Sequence, residues 1–192
     1  MRVLLLPLLL SVAWTASTLH YVAEITRHGA RTPTSSEFDP YNTPYGVLRA
    51  GDLTAVGERQ HYLLGREWNR RYNAENGTVG RLYNDTYATY EVYIRSSNVP
   101  RTLASANAQL EGLFPPGKRA NLTAAQALNA RPPFPFNISS WQDLGQLVLP
   151  LNYQAAPVQA YDQSVDPYLD NWCPGFQRAV EAIKAGKNYT DL

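Results

Sequence analysis

The chain has 192 residues, 44% hydrophobic and 17% charged, which suits one globular domain of ordinary size and gives no sign of two independent ones. Lys and Arg number 17 against 16 Asp and Glu, so the formal net charge is +1 and charge balance argues for neither nucleic acid nor a membrane surface as partner. Any basic residues that matter must act locally.

The N-terminus reads as a targeting segment. Arg2 supplies a positive start, Val3 to Val12 an apolar stretch, and Ala13, Thr15 and Ser17 the small residues that follow. Cleavage is expected near Ser17, with Ala13 as a second candidate, leaving a leader over 1–17. The apolar run is too short to span a bilayer. Five N-x-S/T triplets, at Asn76, Asn84, Asn121, Asn137 and Asn188, fit a glycoprotein of the secretory pathway, secreted or lysosomal. In an oxidising compartment the solitary Cys173 is unusual.

Beyond the leader, Tyr21 to Thr26 is apolar and β-branched enough to predict a strand. It runs into Arg27-His28-Gly29-Ala30-Arg31-Thr32-Pro33. Two guanidiniums flanking one imidazole make a poor core but a good cradle for a doubly charged phosphate. A loop-like stretch follows from Thr34 to Gly51. Thr54 then caps a helix on which Leu64, Trp68 and Tyr72 form an apolar stripe at i+4 spacing. Tyr90 to Arg95 alternates and predicts a second strand. Ser96, Ser97 and Asn98 offer caps to a second helix that has Pro100 in its first turn and Leu103, Ala106, Leu110 and Leu113 on one face. Strand, helix, strand, helix in this order predicts a βαβ crossover with parallel strands. Ligands of such sheets bind outside the carboxyl ends of the strands, so Arg27, His28, Arg31 and Arg95 should meet at one mouth.

The character changes at Phe114, where a domain boundary is expected. Pro115-Pro116-Gly117 ends the helix, and the proline-rich 131–136 segment suits neither regular helix nor central strand. Gln142 to Leu149 is ambiguous between helix and strand. Pro174 to Ala185 predicts a helix with Phe176, Val180 and Ile183 on one face and Gly186 just past its end. Trp141, Tyr153, Tyr161 and Trp172 read as packing residues or pocket walls.

Four islands together carry a resemblance. They are Arg27-His28-Gly29-x-Arg31-x-Pro33; Leu53-Thr54-x-x-Gly57 with Gln60-His61-Tyr62-x-Leu64-Gly65; Val92 to Ser97 with Arg101-Thr102-Leu103-x-Ser105-Ala106 and Gly112 to Pro116; and Cys173-Pro174-x-Phe176-Gln177. In this order and spacing the chain resembles the histidine acid phosphatases, prostatic and lysosomal branch. The resemblance implies an α/β fold, a phosphoglycerate-mutase-like, mostly parallel sheet with flanking helices. It assigns 18–113 to the N-terminal half of that domain and 114–192 to the beginning of an inserted, mainly helical cap. It implies phosphomonoester hydrolysis through a phosphohistidine, with His28 as nucleophile and Arg27, Arg31 and Arg95 as phosphate ligands. It also admits a homodimer.

The sequence departs from the family in three respects. Relatives carry a His-Asp pair, the histidine binding phosphate and the aspartate protonating the leaving oxygen. This sequence has no His-Asp dipeptide, and His20, His28 and His61 are its only histidines. The resemblance therefore covers the first half of a family-length protein, and the chain is expected to stop short of the general-acid motif. By the same resemblance Cys173 matches a cysteine that pairs further downstream in relatives. Glu24 stands where relatives have an apolar residue.

No cofactor or metal is called for, since the sequence has neither an HExxH motif nor a cysteine cluster. His20 and His61 read as structural, and Arg101 as a residue behind the site. If another acid serves the leaving group, Asp52 and Glu58 are the first candidates. Two other readings stand beside the enzyme. One is a non-catalytic secreted glycoprotein that keeps an oxyanion-binding mouth. The other is a piece that does not fold by itself, because half a sheet leaves exposed edges.

Overall fold

The computed structural model describes residues 18–35, 46–73, 81–130, 143–169 and 173–186. The expected leader, the triplets at Asn76, Asn137 and Asn188, and the aromatics Trp141 and Trp172 lie outside the described residues. Two helices cross at the centre: α1 (Ala55–Tyr72) and α2 (Pro100–Leu113). Strand β1 (Arg95–Ser97) precedes α2 and pairs in parallel with β2 (Gln159–Tyr161), Arg95 opposite Gln159 and Ser97 opposite Tyr161. A short helix α3 (Ala124–Asn129), a 3₁₀ turn (Pro150–Asn152) and a last helix α4 (Pro174–Lys184) complete the described elements.

Helix α1 starts as its sequence predicts. Thr54 Oγ1 accepts from the Gly57 amide, Glu58 sits in the first turn and Arg70 and Arg71 in the last, which suits the helix dipole at both ends. Helix α2 begins with Pro100, but no side chain caps it in the way expected of Ser96, Ser97 or Asn98. Instead Thr102 Oγ1 reaches back to the carbonyls of Val99 at 2.8 Å and Ser97 at 2.9 Å.

The two helices approach so closely because glycines face each other. A Cβ built on Gly65 would lie 2.0 Å from Gln109 O, and one on Gly112 would lie 2.1 Å from Tyr62 O. Such contacts admit no side chain, and they bring Gln109 of α2 over His61 of α1. The core lies at the C-terminal end of α2, where Tyr83, Leu110, Leu113 and Phe114 are buried and Trp68, Tyr72, Ile94 and Val158 pack on them. Tyr83 and Tyr87 each meet Phe114 edge-on at 5.5 Å between ring centroids. Asn69 Nδ2 donates to Leu113 O at 2.8 Å, satisfying a carbonyl at the end of α2.

Three expectations need correction. Tyr21 to Thr26 forms no strand: it has no ladder partner among the described residues, and Tyr21 and Ile25 are 78% and 96% exposed. An apolar, β-branched run becomes a strand only where a neighbour takes its backbone groups. The second strand is shorter and later than predicted. Glu91 and Val92 give their amides to Ala88 O in a turn, so 90–91 leave the ladder and pairing starts at Arg95, with Gln159 N donating to Ile94 O just before it. Its parallel partner is β2, which lies beyond Phe114, rather than the segment before α1. Finally, in the stretch Gln142 to Leu149, whose first residue lies outside the described ones, Asp143 and Leu144 are helical and the rest is turn and bend, so the strand alternative falls away. Helix α4 is present as predicted, with Phe176 and Ile183 exposed on its apolar face.

Candidate active site

The Arg-His-Gly segment is held by side chains rather than by a ladder. Gly29 N donates to Ser105 Oγ at 3.1 Å, and Ala30 N donates to Gln60 Oε1 at 2.9 Å. Ala30 O accepts from both the amide and the hydroxyl of Thr54, at 3.0 and 2.8 Å. Arg31 forms an antiparallel bridge with Leu53. Thr32, 2% exposed, gives its hydroxyl proton to Arg49 O and its amide to Asp52 O. Gly51, at φ +83°, allows this return and donates its amide to Pro33 O. The start of α1 and the motif thus form one stitched unit.

That unit borders an open cavity of about 640 Å³ lined by Arg27, His28, Gly29, Arg31, Thr34 and Gln60, with Ala30 and Pro33 completing the wall. His28 Nδ1 lies 2.8 Å from Gly29 O. A carbonyl only accepts, so this contact places the proton on Nδ1 and leaves the Nε2 lone pair unshared. Two arginines beside an imidazole with one nitrogen free can hold a phosphoryl group and attack it.

Arg27, His28 and Arg31 are therefore brought together, whereas Arg95 does not line this cavity. Its Nη2 donates to Asp166 Oδ1 at 2.5 Å, and its guanidinium carbon stands 4.4 Å from the Tyr161 ring centroid and 5.2 Å from that of Tyr168. Asp166 is fully buried and also accepts the amides of Tyr168 and Leu169, at 2.9 and 3.1 Å. The Arg95 hydrogen bond holds the Asp166 carboxyl down at about 2, against burial, which raises it. An acid so far below neutrality has no proton to give a leaving group, so Asp166 is not placed to act as a general acid.

Sequence reasoning missed Gln60 and Ser105 as supports of the motif, and Asp166 and Tyr168 beside Arg95, whereas Tyr161, read as a packing residue or pocket wall, is the ring on that guanidinium. Gln60 was legible, since it falls three residues after Gly57 on the same face of α1. Asp166 was not, because 71 residues separate it from its partner.

Of the other candidates, His61 is buried and bonded to the backbone of Arg27, Asp52 accepts the Arg49 amide at 2.7 Å, and Glu58 is exposed in the first turn of α1. Arg101 is half-buried, its Nε without a hydrogen-bond partner. Among the described residues no group of three or more His, Cys, Asp or Glu is disposed to hold a metal, and no helix is long and apolar enough to cross a membrane.

Lysosomal acid phosphatase of Xenopus laevis is 38% identical over 178 residues, covering 91% of this chain and 34% of that protein. Testicular acid phosphatase of Mus musculus is 43% identical over 116 residues, 58% of this chain and 26% of its own length. The chain thus spans about a third of these curated relatives or less. A solved phytase from Klebsiella sp. ASR1 aligns at a TM-score of 0.46 and 20% identity, covering 82% of this chain and 32% of the phytase. The model of the histidine phosphatase superfamily, branch 2, matches residues 18–191, so the chain belongs to that family.

Proposed function

We propose that the chain is the N-terminal part of an acid phosphatase that hydrolyses phosphomonoesters through a phosphohistidine on His28. The observation that carries this reading is the 2.8 Å contact of His28 Nδ1 with Gly29 O in a cavity walled by Arg27 and Arg31. In the first step the Nε2 lone pair attacks phosphorus, a P–N bond forms, the ester P–O bond breaks and the alcohol oxygen leaves with the bonding pair. In the second, water attacks phosphorus, the P–N bond breaks and inorganic phosphate is released. The arginine forks balance charge on the equatorial oxygens of the transferring group. Arg95 is the third phosphate ligand in this reading. It reaches the site only by leaving, or sharing, its bond to Asp166.

Names of the relatives support a lysosomal or secreted route, for which the expected leader and the exposed Asn84 and Asn121 are the local grounds. The domain division proposed with this reading makes residues 114–192 the beginning of a cap, one that sends a strand, β2, back to pair with β1. A second reading, an oxyanion-binding glycoprotein without turnover, is favoured by Arg95 standing outside the cavity. Incubation with a ³²P-labelled aryl phosphate separates the two. Acid-labile, base-stable label on His28 that is lost in His28→Asn supports the enzyme, whereas binding of inorganic phosphate without label supports the binding protein.

A further inference from the structure

Glu24, Gln109 and His61 form a hydrogen-bonded chain that ends on the carbonyl between Arg27 and His28. Gln109 Nε2 donates to Glu24 Oε2 at 2.6 Å, Gln109 Oε1 lies 3.1 Å from His61 Nδ1, and His61 Nε2 lies 3.0 Å from Arg27 O. A carboxylate and a carbonyl only accept, so each end of the chain sets a direction. Glu24 turns the amide so that its oxygen faces the ring. Arg27 O requires a proton on Nε2. Both nitrogens of a ring that is 5% exposed therefore face oxygens, and both contacts call for an N–H. Glu24 supplies the acceptor that fixes the orientation of the amide. This accounts for an acidic residue within an otherwise apolar and β-branched run.

The arrangement matters because residues 18–30 have no ladder partner among the described residues. Side chains do the anchoring that a neighbouring strand would otherwise do. On the C-terminal side of His28, Ser105 and Gln60 hold Gly29 and Ala30. On its N-terminal side, His61 of α1 holds Arg27 O and Gln109 of α2 holds the Glu24 side chain. A planar peptide carries that constraint directly to the nitrogen and Cα of His28.

We propose that Glu24, acting through Gln109 and His61, is a positioning residue for the nucleophile segment, a role that rests on His28 being that nucleophile. The test uses the full chain and 4-nitrophenyl phosphate. Gln109→Leu should slow phosphohistidine formation about tenfold, within the range that a small misplacement costs, and should lower the melting midpoint, because the buried His61 N–H is left without an acceptor. Glu24→Ala should act in the same direction and, lying at an exposed position, serves if Gln109→Leu does not fold. The exchange Glu24→Gln with Gln109→Glu rebuilds the chain, the new amide donating to a carboxylate that accepts from Nδ1–H, and should restore most of the rate. An unaltered rate in the single variants, or an exchange no better than they are, overturns the proposal. If the unaltered chain melts cooperatively yet forms no phosphohistidine, the nucleophile reading fails, and imidazole ¹⁵N spectra then decide the positioning role. Gln109→Leu should remove the His61 Nδ1–H signal and move the His28 ring signals, whereas unmoved His28 signals overturn the proposal.

Discussion

Gly29 of the motif and Gly57 of α1 meet backbone against backbone. A Cβ on Gly29 would lie 2.4 Å from Gly57 O, and one on Gly57 would lie 2.2 Å from Ala30 O. Neither neighbour is the tip of a flexible side chain, so a methyl group at either place must move the motif off the helix. Gly29→Ala and Gly57→Ala should each cost about 1–3 kcal/mol, as overpacking does, read as a lower melting midpoint. They should also weaken inorganic phosphate binding, because the displaced segment carries Arg27, His28 and Arg31. Either alanine variant with unchanged stability and binding would show that the contact yields freely.

The bond from His28 Nδ1 to Gly29 O makes a spectroscopic prediction. In the neutral ring the proton should reside on Nδ1, so a long-range ¹H–¹⁵N spectrum of histidine-labelled chain should show Nδ1 pyrrole-like and Nε2 pyridine-like. The opposite tautomer is commonly the favoured one for a free imidazole, so its appearance here would mean that Nε2 is not the attacking atom.

Arg95 and Asp166 predict a pH dependence. The carboxyl is held down to about 2 from an ordinary 3.8, first by the hydrogen bond from Arg95 and also by the amides of Tyr168 and Leu169. A folded value below the unfolded one stabilises the fold fully above about pH 4, and the contribution disappears as pH falls through the folded value. Asp166→Asn should therefore lower the melting midpoint near neutrality and differ less from the parent as pH drops from about 4 toward 2. Glu67, exposed but held at about 2 by hydrogen bonds from Arg70 and Arg71, titrates in both proteins and cancels in the difference. A gap that stays constant over that range would assign the loss to packing around Asp166 rather than to its charge.

What could be read in the sequence divides along a physical line. Helices α1, α2 and α4 were legible because capping and i+4 periodicity are local, and Thr54, Pro100 and Pro174 mark their starts. Arg27, His28 and Arg31 were legible because a five-residue span brings them to one cavity whatever surrounds it. The sheet was not. The pattern of Tyr21 to Thr26 carries no information about which strand, if any, lies beside it, and β1 pairs with a segment more than 60 residues away. The same distance hid the fate of Arg95. A strand end predicts that its arginine faces a mouth, but not that a buried aspartate and two tyrosines have already engaged it.

Departure of the leaving group is the step for which the cavity supplies least. The cavity offers the His28 imidazole and two guanidiniums, and among the described residues the one carboxylate bonded to a proposed phosphate ligand, Asp166, is ionised far below neutral pH. Glu58 and Asp52 do not line the cavity either. A positioned general acid contributes about 10²–10⁴ in rate, and the benefit depends on how poor the leaving group is. An aryl oxide departs as a stabilised anion, whereas an alkoxide needs the proton as its bond breaks. The chain should therefore label His28 from an aryl phosphate and scarcely at all from an alkyl phosphate, with a ratio of about 10² or more. Comparing the two labelling rates at one pH is the measurement. Equal rates would mean that an acid serves the site after all, and Glu58→Gln and Asp52→Asn would then show which carboxylate supplies it.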